Sequence, residues 1–398
     1  KGIRFGGSDS FDIRRVVWTG AWRLFKQNPV LGTGVETFAY SYYWTRPVEH
    51  NQLSEWDFLY NKAHNEYLNF LATTGLVGTL TYLTMIGFTL FILIKTSFKN
   101  QDKPLSTALL LGYISILITN FFGFSVVPVA LLFYLYPALL LSLHPHFKSS
   151  LSFSPQFLKK GSLLKQFLIV ATILLTLLWS VVIIRHWLAD LKYNKGRSFA
   201  SAGYLASAIP LLENSTNLYP QEPTFRSELS KSYSQATLSI HQQLASLPAS
   251  QAAQLEASAQ NQINQYTKLA INNIDTTLKQ NSQHLNFYKA KAQVFITLAQ
   301  INPDYYQQAI ETLIRAHQKA PTDPKLVYNL GLLYQNTQKT QEALTSYQKA
   351  LELKPDYTPA RTAYIKLLDQ LNQHQKAQQQ LDILLKSFPN HPLKDRIQ

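Results

Sequence analysis

Apolar residues are concentrated in the first half of the chain, where four long runs stand out between residues 76 and 187. A helix that crosses the hydrocarbon core of a bilayer needs about 20 mostly apolar residues, because each residue adds about 1.5 Å and the core is about 30 Å thick. The runs meet this requirement and predict four transmembrane helices. They are Leu76–Ile94, Leu105–Phe124, Val126–Leu143 and Gln166–Ile184.

The polarity of the chain changes after about residue 195, where Gln, Ala, Asn, Ser and Lys become frequent. This shift marks a domain boundary. The pattern predicts a polar and aromatic loop over residues 1–75, four membrane helices over residues 76–187, and a separate helical domain over residues 195–398.

Basic residues in the short connections predict how the apolar runs face the membrane. Lys and Arg accumulate in cytoplasmic loops. The first and third connections are rich in lysine, whereas the tip at residues 122–128 carries no charge. We therefore expect residues 1–75 and the C-terminal domain on the same outer face, although Arg185, Lys192 and Lys195 run against this orientation. The lysines of the two connections are Lys95, Lys99, Lys103, Lys148, Lys159, Lys160 and Lys165.

The strongest periodic signal is a spacing of 34 residues in the C-terminal region. Residues 324–355 hold Leu-Gly, Tyr, Ala, Tyr, Ala and Pro at the offsets of a tetratricopeptide repeat, which this unit resembles. Small residues let the two helices of a repeat approach, and proline ends the second helix. Thr297 and Ile365 stand at the position of Gly331, so the flanking units are predicted as divergent repeats. The recurring residues are Ala309, Ala343, Ala377, Pro321, Pro355 and Pro389.

The region before these repeats also predicts helices. Residues 208–220 resemble the second helix of a further unit, and residues 228–281 carry Leu and Ile at helical spacing, which indicates long helices. The predicted fold class is therefore all-α: polytopic membrane helices plus a C-terminal tetratricopeptide-like α-solenoid. Such a solenoid either acts as a passive spacer or dimerisation module, or presents a concave docking surface to a protein partner or a glycan.

Residues 1–75 carry most of the polar and aromatic residues that could act at a membrane surface. Over residues 12–27, apolar side chains mark one side of an amphipathic helix, which would lie at the interface where tryptophan is favoured. The helix is expected to end at Asn28-Pro29, before a tight turn at residues 31–34. Its apolar side comprises Val17, Trp18, Ala21, Trp22, Leu24 and Phe25.

A second element, over residues 63–71, leads into the first apolar run. His64 stands at its start and is expected roughly two to three helical turns above the apolar stretch. Together with the amphipathic helix and the turn, this element contributes to one ordered set of residues. In sequence order the set is Arg14, Trp18, Asn28, Pro29, Leu31, Gly32, Gly34, His64, Asn65, Leu68, Leu71, Gly75 and Gly78.

An arginine four residues before a tryptophan, then Asn-Pro-x-Leu-Gly-x-Gly, then His-Asn leading into a membrane helix, resembles the region shared by O-antigen ligases, O-antigen polymerases and protein O-oligosaccharyltransferases. The resemblance covers about the first 80 residues. It implies transfer or polymerisation of a glycan from an undecaprenyl-diphosphate-linked donor to an acceptor hydroxyl at the outer face of the cytoplasmic membrane, with no cofactor, nucleotide sugar or metal. It also implies further membrane helices before Lys1, where the chain shows no methionine and no signal-peptide pattern.

The resemblance gives chemical roles to a few residues. A diphosphate leaving group needs fixed cations, and arginine bonds phosphate oxygens in pairs, so Arg14 and Arg15 are the candidates for substrate binding. An attacking hydroxyl loses a proton, a task that suits histidine, so His64 is the catalytic candidate. Without the resemblance, the arginines would be interpreted as side chains that snorkel to lipid phosphates, and His64 as a structural histidine. The aromatic loop over residues 40–60, with His50, either covers the site or anchors at the interface.

Composition bears on the other functional classes. The formal net charge is +14, but the basic residues are spread between the apolar runs, which favours contact with membrane lipid over nucleic-acid binding. The chain has no cysteine, which excludes disulfides, thiolate chemistry and cysteine-based metal sites. Two alternatives to a transferase stay open: a non-catalytic membrane scaffold that recruits envelope-assembly partners through its repeats, and a solute transporter. The transporter is disfavoured because the predicted spans have no ionisable residue at mid-depth.

Overall fold

A computed structural model describes residues 10–99, 103–143 and 163–395. These residues form helices and no strand, which confirms the predicted all-α class. The chain divides into two compact units, Lys1–Leu168 and Ile169–Gln398. The helices of the first unit are α1 (Ser10–Gln27), α2 (Phe38–Thr45), α3 (Glu66–Lys99), α4 (Lys103–Phe122) and α5 (Val127–Leu143), with a 3-10 turn at Val48–Gln52.

Each of the four predicted spans overlaps one apolar helix, although α3 and the helix Leu163–Ser201 extend well beyond their spans. α5 is apolar, but its 17 residues rise only about 26 Å, against about 30 Å of hydrocarbon, and the chain after Leu143 lies outside the described residues. The predicted orientation stays a prediction, since Lys148, Lys159 and Lys160 also lie outside them. Within the described ranges, three helical stretches are long and apolar enough to cross a membrane: Glu66–Ser97, Pro104–Phe122 and Gln166–Ser201.

The three apolar helices of the first unit pack through aromatic rings. Phe133 of α5 stacks on Tyr113 of α4 and on Tyr82 of α3, with ring centroids 5.2 and 5.6 Å apart. Stacking of this kind adds about 0.5–1.5 kcal/mol per pair beyond the buried area. α4 and α5 thus form a helical hairpin against α3. The turn of this hairpin brings the ring of Phe124 to 5.2 Å from the ring of His64, between centroids.

The second unit is a series of paired helices. They are α6 (Leu163–Ser201), which begins just before the boundary between the units, α7 (Leu205–Leu218), α8 (Pro223–Ser246), α9 (Ala249–Gln280), α10 (Leu285–Ala299), α11 (Tyr305–Lys319), α12 (Pro324–Asn336), α13 (Thr340–Leu353), α14 (Thr358–Gln370) and α15 (His374–Ser387). The last six form three successive pairs, as the 34-residue period predicts. α8 and α9 are the long helices predicted over residues 228–281.

Small residues of the repeats lie where helices approach each other. Ala309, Ala343 and Ala377, the alanines of the 34-residue period, are fully buried. A Cβ atom at Gly331 would lie 2.5 Å from the ring of Tyr347, so only glycine fits beneath that ring. The residues that defined the period in the sequence are therefore the residues that set the helix-to-helix distance.

Candidate functional site

α1 places its apolar side on the core of the first unit. Val17, Ala21 and Leu24 are buried, as the predicted amphipathic helix requires. Trp22 was assigned to the same side and is instead 45% exposed, with the ammonium of Lys26 at 5.9 Å from its ring centroid. The reason is geometric, since each successive residue turns about 100° around the helix axis and the residue after Ala21 leaves the buried face.

α3 is interrupted at Gly75, where the backbone has φ 63° and ψ −163°. A break inside a helix leaves carbonyl and N–H groups without their usual partners. The turn that follows α1 supplies partners on both sides of this break. The four backbone bonds, donor first, run from Thr33 to Ala72 (3.2 Å), from Gly34 to Thr73 (2.8 Å), from Leu76 to Pro29 (2.8 Å) and from Val77 to Val30 (3.2 Å).

Two glycines allow this contact, and we refer to residues 29–34 and 72–77 together as the glycine joint. Gly32 has a φ of 67°, and a Cβ atom there would lie 2.3 Å from backbone of α3. A Cβ atom at Gly75 would lie 2.4 Å from backbone of the turn. Both conformations are left-handed, which disfavours any residue with a side chain. The two glycine-containing pieces of the sequence motif are therefore one structural element.

His64 lies in a bend two residues before α3 begins, not on a helix as expected. Its φ is 54°, a left-handed conformation that is uncommon for a residue with a side chain. Asn65 explains why α3 begins only after His64. Its side-chain oxygen accepts a hydrogen bond from the N–H of Leu68 at 2.9 Å and so caps the helix. Asn65 therefore caps the N-terminus of α3, and His64 lies just before the helix.

The imidazole of His64 is held by a backbone carbonyl and by two aromatic rings. Its Nδ1 lies 3.2 Å from the carbonyl oxygen of Lys62. Because a carbonyl oxygen only accepts, Nδ1 must donate, and the neutral ring then carries its lone pair on Nε2. The rings of Tyr60 and Phe124 flank the imidazole edge-on, at 5.6 and 5.2 Å between centroids. The basic atom that neutral His64 offers is therefore Nε2.

His64 and Arg14 line one pocket of about 220 Å³. The buried Nε of Arg14 has no hydrogen-bond partner within the described part of the chain. Arg15 is exposed and does not line this pocket. The structure thus brings together two of the three predicted site residues and places the third elsewhere. The other lining residues are Ser10, Ile13, Val17, Glu55 and Tyr60.

Glu55 and Tyr60 are wall residues that the sequence did not single out for the site. The hydroxyl of Tyr60 donates a hydrogen bond to the carboxylate of Glu55. Burial and this carboxylate raise the pKa of Tyr60, so its hydroxyl stays a donor. No motif or period marks either residue. The one signal available was that Tyr60 lies four residues before His64 in an aromatic loop.

Part of the aromatic loop over residues 40–60 packs into the core, whereas Phe58 and Leu59 are exposed. Tyr42 and His50 are both buried, and the hydroxyl of Tyr42 lies 3.2 Å from Nδ1 of His50. The ring of His50 in turn packs edge-on against Tyr60, at 5.1 Å between centroids. Tyr42 and His50 therefore pack behind one another against Tyr60, a residue of the pocket wall. Burial, assisted by the nearby guanidinium of Arg46, lowers the pKa of His50 to about 4.

We expect the stability of the first unit to fall as the pH is lowered from about 6.5 to about 4, because of His50. In the unfolded chain its pKa returns to about 6.5, so the unfolded state binds a proton in this interval and the folded state does not. Proton uptake then favours unfolding. The contribution is complete above pH 6.5 and is lost as the pH approaches 4. Thermal unfolding of the protein in detergent micelles across this interval measures it.

A matched pair of variants isolates this effect from other titrating groups. His50→Gln should show a shallower loss of melting temperature at low pH than the wild type. His374→Gln removes an exposed histidine of α15 and should follow the wild type. Equal pH dependence in all three proteins would contradict the assignment to His50.

Comparison with known families decides what kind of region this pocket belongs to. Residues 2–83 match the protein-family model described as O-antigen ligase. The chain carries an O-antigen ligase region. This region contains α1, the glycine joint and His64, and with the apolar helices it indicates a membrane protein. Residues 324–357 match a tetratricopeptide repeat model, which confirms the repeat that the sequence predicted there.

Several solved structures are similar to about half of the whole chain. MamA from Desulfovibrio magneticus RS-1 is 17% identical with a TM-score of 0.37, and the match covers 51% of this chain and 97% of that one. PilF from Pseudomonas aeruginosa is 17% identical with a TM-score of 0.37, over 51% and 77%. The tetratricopeptide protein TTC0263 from Thermus thermophilus is 19% identical with a TM-score of 0.34, over 52% and 96%. No curated protein matches the chain.

Proposed function

We propose that the O-antigen ligase region transfers a glycan from an undecaprenyl-diphosphate-linked donor to an acceptor hydroxyl at the outer face of the cytoplasmic membrane. The observation that carries this proposal is the pocket that Arg14 and His64 share. The pocket combines a cationic fork with a base, the two groups that such a transfer needs. His64 directly precedes the first apolar helix, where the diphosphate of a lipid carrier would lie at the membrane surface.

In the proposed reaction, the acceptor oxygen attacks the anomeric carbon of the donor sugar. The acceptor proton passes to Nε2 of His64, and a new carbon–oxygen bond forms as the bond from the anomeric carbon to the diphosphate breaks. The lipid diphosphate leaves with the electron pair. The guanidinium of Arg14 stabilises the negative charge that develops on the leaving group.

Tyr60 and Glu55 position the base in this proposal. The carboxylate of Glu55 accepts a hydrogen bond from the Tyr60 hydroxyl, and the rings of Tyr60 and Phe124 both pack against His64. These contacts hold the imidazole in one orientation. A base that is already oriented does not lose that freedom when the substrate binds, which lowers the barrier.

We expect Arg14→Lys to impair transfer nearly as much as Arg14→Ala. Lysine keeps the charge but loses the planar fork that bonds two phosphate oxygens. Loss of a charge-assisted hydrogen bond costs about 1.5–3 kcal/mol, which corresponds to roughly a ten- to hundredfold loss of transfer. An arginine that only snorkels would behave differently, because lysine snorkels equally well. Transfer is measured in cells that carry each substitution in the native gene, with protein levels matched.

Arg15 provides the control, because it is next in the chain but exposed and outside the pocket. We expect Arg15→Lys and Arg15→Ala to cost less than the Arg14 variants. Full activity in both lysine variants, with a defect only in alanine variants, would favour a simple electrostatic anchor. Full activity in all four would remove these arginines from the mechanism and leave the proposal to rest on His64 alone.

A further inference from the structure

A second pocket lies entirely within the helical unit. Its volume is about 390 Å³, within the range of about 300–1,000 Å³ typical of small-molecule sites. Its walls come from the turn between α6 and α7 and from the helices α7, α8 and α9. The O-antigen ligase region contributes no residue to this pocket, so its function can be tested separately.

The described lining of this pocket mixes polar, aromatic and aliphatic side chains, the aliphatic ones including Leu205, Ile209 and Ile240, and it carries no charge. None of its lining residues is Asp, Glu, Lys, Arg or His. Amide and hydroxyl groups both donate and accept hydrogen bonds, and tyrosine combines an apolar ring face with a polar tip. The polar and aromatic residues of the lining are Tyr204, Ser207, Ser239, Gln243, Gln262 and Tyr266.

Tyr266 of the pocket is held in place by its neighbours, whereas Tyr204 stands largely exposed at the rim. The side-chain amide of Gln262 donates a hydrogen bond to the hydroxyl of Tyr266 at 3.3 Å, and the Tyr266 ring packs against Tyr233 at 5.3 Å between centroids. Tyr204 follows Gly203, whose φ of 84° turns the chain out of α6, and its side chain is 65% exposed. Rings that are already oriented lose little conformational entropy when a ligand binds.

This lining selects against charged and against fully apolar ligands. A phosphate or carboxylate would need a cation, and the N–H groups of Leu205 and Ser207 at the start of α7 already donate to the carbonyls of Gly203 and Tyr204, at 3.0 and 3.2 Å. A cationic ligand would need a carboxylate. An apolar segment would leave the amides and hydroxyls of the wall without partners, which is unfavourable. A neutral ligand rich in hydroxyl groups fits the remaining requirements.

We infer that this pocket binds a neutral oligosaccharide segment of the glycan that the chain transfers, an inference that rests on the proposed function for the identity of its ligand. Sugar hydroxyls match the amide and hydroxyl groups of the wall, and the apolar face of a sugar ring matches the tyrosine rings. Binding at this pocket retains the glycan on the chain without any contact to the lipid diphosphate. Two attachment points on one glycan raise the effective concentration of each for its own site.

The test uses the whole chain in lipid nanodiscs and two labelled probes. Oligosaccharides are released by mild acid from the envelope polysaccharide of the cells that encode the chain, and are separated into a neutral and an acidic pool. Binding is measured by thermophoresis. We expect the neutral pool to bind the wild type, and Gln243→Ala/Gln262→Ala to weaken that binding at least about tenfold, because each lost hydrogen bond changes affinity severalfold.

A matched double variant controls for the loss of two glutamines. Gln242→Ala/Gln260→Ala removes glutamines from the same two helices, outside the pocket, and should bind like the wild type. Neutral-pool binding that survives in Gln243→Ala/Gln262→Ala overturns the inference. So do a wild-type chain that binds neither pool and a wild-type chain that prefers the acidic pool.

His64→Ala separates this inference from the proposed function. We expect this variant to bind the neutral pool as the wild type does. If His64→Ala loses binding and the pocket double variant keeps it, the glycan is held at the reactive pocket and the inference fails. Undiminished glycan transfer in His64→Ala cells would overturn the proposed function, whereas the binding result for the double variant would still hold.

Discussion

Replacing His64 by alanine is expected to reduce glycan transfer by at least about a hundredfold, because a positioned general base contributes roughly 10²–10⁴-fold. Nε2 of the neutral ring carries the lone pair, and the imidazole lines the same pocket as Arg14. Among the described residues, no other histidine lines that pocket. Transfer is measured in cells with the substitution in the native gene, and immunoblots verify that the variant and the wild type are present in the membrane in equal amounts.

A second substitution distinguishes a lost base from a damaged turn. Asparagine tolerates the left-handed backbone that His64 adopts, so His64→Asn keeps the turn and removes the base. We expect the same loss of transfer as in His64→Ala, and wild-type transfer in His374→Ala, which changes an exposed histidine of α15. Wild-type transfer in His64→Asn would contradict the catalytic role and favour the non-catalytic scaffold that recruits envelope-assembly partners.

Gly75→Ala is expected to destabilise the first unit by about 2–5 kcal/mol. About 1–2 kcal/mol comes from a side chain in the left-handed conformation, and about 1–3 kcal/mol from overpacking, since the new Cβ would lie 2.4 Å from backbone of the turn. Four backbone hydrogen bonds cross this contact and would be strained or lost. The melting temperature of the protein in detergent micelles and its yield in the membrane measure the effect.

Gly87→Ala is the matched control, because it lies in the same helix and a Cβ atom there meets nothing within 4 Å. Alanine is the better helix former by about 0.5–1 kcal/mol, so this variant should melt at or slightly above the wild-type temperature. Gly32→Ala should resemble Gly75→Ala, since both glycines serve one contact. If Gly75→Ala has the same melting temperature as Gly87→Ala, the glycine joint does not determine the stability of the first unit.

Sequence patterns predicted those parts of the molecule whose signal is local. The apolar runs correspond to α3, α4, α5 and α6, because length and hydrophobicity suffice to indicate such helices. Asn28-Pro29 correctly predicted the end of α1, since proline disfavours a helical residue before it. The alanines of the 34-residue period are buried as expected. In each case the physical cause acts within a few residues or repeats regularly.

Contacts between residues far apart in sequence could not be predicted in this way. The sequence contains Gly32 and Gly75 but no pattern that joins them, and their left-handed backbone is visible only where the turn meets the break in α3. Glu55 and Tyr60 reach the pocket through the path of an irregular loop, which has no period. The sequence pattern extends the predicted helix over His64, whereas the side chain of Asn65 caps α3 one residue later.

The glycine joint also makes the segment between its two halves a loop that is closed at its ends. Within this loop, the ion pair of Glu36 and Lys62 joins two residues that lie near its two ends. The entropy of closing a loop grows slowly with its length, so we expect this segment to tolerate insertions that leave its core side chains in place. Tyr42, His50 and Tyr60 of this segment are buried, so the insertions would be accommodated where the loop is exposed, as at Phe58 and Leu59.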